Sequence, residues 1–161
     1  MTGWENFFIA EVGASAALAG LLFVGVSINL NRILSLPSLP TRAFLALILL
    51  LTILVVSSLL LIPGQSLMFI GVEVLIIGLI TWTLAIVLDI RTLQKTEAKY
   101  RRPFVSTNMV LSQLAALPYP IAGIILLISG AGGLYWLVPA VLFSFIKAII
   151  DAWVLLVEIN R

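Results

Sequence analysis

No cysteine and no histidine occur among the 161 residues, and charged side chains make up only 10% of them. The first two absences remove disulfides, thiolate nucleophiles, imidazole general bases and the usual zinc, copper and haem ligands. Redox and metallohydrolase readings go with them. The scarcity of charge excludes water as the main solvent, because a soluble domain carries about a quarter charged residues. No phosphate loop, nucleophile elbow, metal-ligand motif or solenoid-period repeat is present. The expectation is therefore a protein that is not an enzyme and that uses no cofactor and no metal.

What the chain does contain is apolar sequence: 62% of it is hydrophobic, with a mean hydropathy of +1.23. Crossing a hydrocarbon core takes about 20 residues at helical rise. That requirement divides residues 1–161 into a single transmembrane domain with five spans, at about 5–34, 42–62, 67–90, 104–128 and 134–158. Ala17-Leu18-Ala19 imitates a cleavage site, but Glu5 and Glu11 stand where a signal peptide needs basic residues, so the first span is expected to remain. Pro37 and Pro40 mark a connection, with Thr41 as N-cap of the second span. That span is almost purely Leu, Ile and Val and is expected to face lipid over much of its circumference.

One polar tract, Asp89 to Pro103 (DIRTLQKTEAKYRRP), sets the orientation. Cytoplasmic connections hold the Lys and Arg residues of a multi-pass protein. An outside N-terminus puts Arg32, Arg42, Arg91, Lys95, Lys99, Arg101, Arg102 and Arg161 on the cytoplasmic side. The ninth basic residue, Lys147, falls within a span. The expected fold is thus all-α, a polytopic helix bundle with five spans, a cytoplasmic basic loop over residues 91–103 and a cytoplasmic C-terminus. The formal net charge of +2 reports membrane orientation and not nucleic-acid binding.

Candidate functional residues are the polar ones inside these spans. On the fifth, Ala140, Ser144, Lys147, Asp151 and Glu158 share one helical face, and Lys147 is expected to pair with Asp151 one turn away. A Lys or Asp at mid-membrane costs about 2.5–3.5 kcal/mol on insertion scales, so such a pair either fixes packing or marks an ion path. Glu11 and Glu73 lie at similar depth on the first and third spans. If those helices pack together the two carboxylates form a proton or cation site; if not, each sits alone near the headgroups. Pro118 and Pro120 predict a kink in the fourth span, with Gln113 a turn away as a further oxygen donor. Gly13, Ala14, Ala16, Ala17, Ala19, Gly20 and Gly25 make the first span the expected packing centre, and its stripe of Glu11, Ser15, Gly25 and Asn29 is suited to meet that of the fifth. Trp82 and Trp153 are expected to pack inside.

The opening WENFFIAEVGASAALAGLLFVGVSINLNRIL resembles the start of a group of small bacterial multi-pass membrane proteins, mostly hypothetical and sometimes labelled modulator of a membrane-bound ATP-dependent protease. The resemblance covers mainly the first span and transfers no site. It implies a bacterial cytoplasmic membrane and an accessory role. The expected function is a non-enzymatic accessory or regulatory protein that assembles through its helices; the alternative is an oligomeric ion channel or proton-coupled transporter. The expected partners are the lipid bilayer, anionic lipid at the basic loop, and a second copy or another membrane protein.

Overall fold

Backbone N–H and C=O groups in hydrocarbon have no water to bond, so an apolar chain of this kind folds as helices that satisfy themselves. A computed structural model describes residues 3–36, 38–95 and 104–159, and among these there is no strand. The helices are α1 (Glu5–Ile28), α2 (Leu30–Ser35), α3 (Leu39–Leu60), α4 (Leu67–Lys95), α5 (Val110–Ala116), α6 (Pro118–Ser129) and α7 (Leu134–Ile159). A π-helical segment, Phe104–Met109, leads into α5, and a 3₁₀ turn, Gly130–Gly133, joins α6 to α7.

Four helical stretches among the described residues are long and apolar enough to cross a membrane: Glu5–Ile28, Leu39–Leu60, Leu67–Gln94 and Thr107–Val157. The last, of 51 residues, doubles back on itself. Gly130 takes a φ of +62° at the turn, a backbone state that suits glycine. Beyond it the two arms run antiparallel, with the Tyr119 hydroxyl 3.2 Å from Ser144 Oγ.

Local departures from the expected boundaries have local causes. Asn29 separates α1 from α2, its Nδ2 donating to the Gly25 carbonyl at 3.1 Å. The helix expected to start after Thr41 starts at Leu39, with Ser38 and not Thr41 at the N-cap position. Pro40 is tolerated there because the first helical turn has no use for its missing N–H. At the Pro118-Tyr119-Pro120 break the helix divides into α5 and α6, yet Leu117 keeps helical angles of −62° and −35° and its N–H still reaches the Gln113 carbonyl at 2.9 Å. Pro139 lies inside α7, a further proline position that the five-span reading did not single out.

The packing centre is α3, not α1. Only 11% of the α1 span is buried, against 56% of the α3 span, which α1, α4 and α7 surround. Residue type could not reveal this, because lipid tails are as apolar as Leu and the same surface suits either neighbour. The close helix seam also lies elsewhere. A Cβ on Gly78 would stand 2.6 Å from Pro120 N, and one on Gly123 would stand 2.6 Å from Leu75 Cα, so α4 and α6 touch backbone to backbone. On α1, a Cβ at Gly13, Gly20 or Gly25 would meet nothing within 4 Å. Trp153, expected inside, is 65% exposed.

Both ends of the bundle are chemically marked. At one end Trp4 packs edge-on against Tyr135 with centroids 5.0 Å apart and stacks near Phe8. At the other lie Arg32 and Arg91, both exposed, and the half-buried Arg42. Lys99, Arg101, Arg102 and Arg161 fall outside the described residues.

Candidate functional site

Helical spacing alone puts Ala140, Ser144, Lys147 and Asp151 on one face of α7, and all four are completely buried. This face meets α3 and α5, so the stripe looks into the bundle and not at lipid. Lys147 Nζ donates to Asp151 Oδ2 as expected from their spacing of one turn. The arrangement then goes beyond that pair. Arg42, from the first turn of α3, brings its guanidinium to 3.9 Å from the other carboxylate oxygen of Asp151. Asp89, buried on α4, lies within electrostatic reach of Lys147, Asp151 and Arg42. Its Oδ1 accepts hydrogen bonds of 3.3 Å from Ser112 Oγ and from Asn108 Nδ2.

Three helices thus place two cations and two carboxylates together in the interior, a formally neutral set. Two buried carboxylate oxygens, Asp89 Oδ2 and Asp151 Oδ1, accept no hydrogen bond from the described residues. Such atoms are costly to leave unsatisfied in a low-dielectric interior, and they are where a proton is most readily held.

The remaining predicted residues separate into two groups. Glu11 and Glu73 do not form a site together. Glu73 Oε2 accepts a 2.7 Å hydrogen bond from Gln65 Nε2 at the turn before α4, whereas Glu11 has its Oε2 buried with no hydrogen-bond partner among the described residues and stands within electrostatic reach of the Tyr119 hydroxyl. The proline break carries Tyr119 into the core, where its hydroxyl meets Ser144, and Ser144 Oγ also donates to the Ala115 carbonyl at 3.2 Å. The divided helix and the polar stripe are therefore joined through Tyr119 and not through Gln113. Gln113 instead accepts a 2.8 Å hydrogen bond from Trp82 Nε1, tying α5 to α4. Gln113→Leu should cost about 0.5–1.5 kcal/mol of stability, read as a lower thermal midpoint in detergent.

Arg42, Asp89, Ser112 and Tyr119 were not singled out as site residues from the sequence. Asp89 gave little signal, because it opens the polar tract and so read as the end of its span. Of the basic loop candidates, Arg91 is exposed at the end of α4 and takes no part in the cluster, and Lys95 closes that helix.

The described residues define an all-helical protein with four stretches long and apolar enough to cross a membrane, and with a charged interior. No family model, curated protein or solved structure matches the chain.

Proposed function

We propose that the chain is a non-enzymatic integral membrane accessory or regulatory protein that assembles through its helices. In this reading it crosses a bacterial cytoplasmic membrane five times, with Trp4 outside and the C-terminus in the cytoplasm. The fold-back at Gly130–Gly133 supports the fifth crossing. The shared position of Arg32, Arg42 and Arg91 at one end supports the orientation, because basic residues stay on the cytoplasmic side.

The observation that carries the assembly reading is the bare face of α1. Gly13, Ala17, Gly20 and Val24 fall within 60° of one another at about 100° per residue, and all four are exposed. Small residues let helix backbones approach closely, which is the main source of helix association where no hydrophobic drive exists. Among the described residues no helix covers this face, and a Cβ at Gly13 or Gly20 would meet nothing within 4 Å, so the proposed partner is a second copy or another membrane protein. The exposed Arg32 and Arg91 at the basic end suit anionic headgroups beside it.

Because the chain has no native cysteine, Ala17→Cys gives a clean probe. Oxidation of native membranes should yield a disulfide-linked dimer or a covalent adduct with a partner at Ala17→Cys and at Gly20→Cys, and none at Leu51→Cys on the exposed face of α3. Equal or absent cross-linking at all three positions would remove this reading.

The alternative, an oligomeric ion channel or proton-coupled transporter, draws support from one observation: ionisable side chains from three helices converge in the interior.

A further inference from the structure

We propose that the groove between α1 and α7 seats one acyl chain of an anionic phospholipid, with the lipid phosphate held at Arg32. This rests on the reading of α1 as a membrane span and is independent of what pairs with its small-residue face. That face, Gly13, Ala17, Gly20 and Val24, centres about 150° away from Leu18, Leu22 and Asn29, which line the groove.

Shape selects a hydrocarbon chain. The groove holds about 400 Å³ and runs from Leu18 to Asn29 on α1, closed by Ile33 on α2 and by Ala152, Trp153 and Leu156 on α7. At 1.5 Å per residue it is about 16 Å long, close to the depth of one leaflet of a hydrocarbon core of about 30 Å. Its mean section is then about 25 Å², whereas an α-helix with its side chains is about 10–12 Å across. A partner helix cannot enter it; a single extended alkyl chain can. The lining is apolar apart from Asn29, whose Nδ2 donates to the Gly25 carbonyl. Leu21 and Trp153 on its rim are exposed, so the groove opens sideways, where the lipid of a spanned bilayer lies.

Charge selects the headgroup. Arg32 stands in the turn that follows Asn29, which the Ile33 N–H closes by donating to the Asn29 carbonyl at 3.0 Å. It is exposed at the groove's basic end, and no described carboxylate pairs with it. A guanidinium takes a phosphate through two parallel N–H donors. Leu155, two residues after Trp153, packs in one cluster with Ile33, so the exposed Trp153 lies within about 3 Å of that level along α7. An indole N–H suits the headgroup boundary, where the ester carbonyls of a phospholipid lie. Cation, indole and apolar trough thus follow one another in the order phosphate, ester and chain.

The test titrates delipidated full-length protein in a neutral detergent with dioleoyl phosphatidylglycerol or dioleoyl phosphatidylcholine and reads bound lipid by native mass spectrometry. The expected result is one phosphatidylglycerol per chain, bound about fivefold more tightly than phosphatidylcholine. Arg32→Gln should remove that preference, whereas Arg91→Gln, on α4 and outside the groove, should keep it. Gly25→Leu, whose Cβ enters open space, should fill the trough and weaken both lipids by about fivefold or more. Arg32 is exposed, so its variant reads the site even where Gly25→Leu does not yield monodisperse protein. Equal affinity for the two lipids, a preference unchanged in Arg32→Gln, an affinity unchanged in Gly25→Leu, or an equal loss in Arg91→Gln would each overturn the proposal. So would a lipid-free dimer that Gly25→Leu dissociates, which would put a second copy in the groove. Protein that stays monodisperse without detergent would instead remove the membrane reading on which the lipid site stands.

Discussion

Asp151→Leu alone should destabilise the bundle by about 3–5 kcal/mol, the usual consequence of removing one partner from a buried ion pair and stranding the other. Here Lys147 would lose the carboxylate it is bonded to, and Arg42 one that stands 3.9 Å away. Lys147 is fully buried, and its depth of about 20 Å along α7 puts the interface beyond easy reach of a side chain of about 6 Å. Lys147→Leu together with Asp151→Leu should cost less than the Asp151 change alone, because Arg42 and Asp89 then remain as one cation and one carboxylate. The comparison is read from thermal midpoints of the purified variants in one detergent. Equal losses for single and double variants would mean that the pair is not coupled.

Gly123→Ala is the second large effect. A methyl group there would stand 2.6 Å from both the Cα and the N of Leu75, which are backbone atoms that cannot rotate away. The helices must separate, and overpacking of this kind costs about 1–3 kcal/mol. Alanine also gains about 1 kcal/mol of helix propensity over glycine, so the net loss should be smaller but still a loss. Gly13→Ala isolates the propensity term, because its methyl group meets nothing within 4 Å. In monomeric protein in detergent it should be neutral or stabilising. Opposite signs for the two substitutions are the expected result; equal effects would place the close seam elsewhere.

Legibility followed the range of the interaction. The membrane class was plain from the length of the apolar runs, and the basic end from the position of Arg32, Arg42 and Arg91. The Lys147–Asp151 bond was legible because its partners are one turn apart on a single helix, where spacing determines contact. Asp89 and Arg42 join it from α4 and α3, and contact between helices depends on which faces pack. In hydrocarbon a leucine-rich face carries no such information, which is why α3 read as lipid-facing although it is the most buried of the four membrane-length stretches. Glycine spacing was ambiguous for a related reason. It permits close approach but does not choose the partner, so Gly13 and Gly20 read like a seam while Gly78 and Gly123 form one. Glu11 and Glu73 share a depth, yet Gln65 takes Glu73 and the Tyr119 region faces Glu11.

The proposed topology puts the two marked ends of the bundle on opposite sides of a bilayer, with the charged face of α7 enclosed between them. Single-cysteine labelling with a membrane-impermeant maleimide in intact bacteria tests this most directly, since no native cysteine competes. Gly64→Cys and Gly132→Cys should label from outside, Arg32→Cys and Arg91→Cys only after the membrane is opened, and Ala148→Cys, buried beside Lys147, in neither case. Labelling of Arg91→Cys and Gly132→Cys from the same side would contradict it.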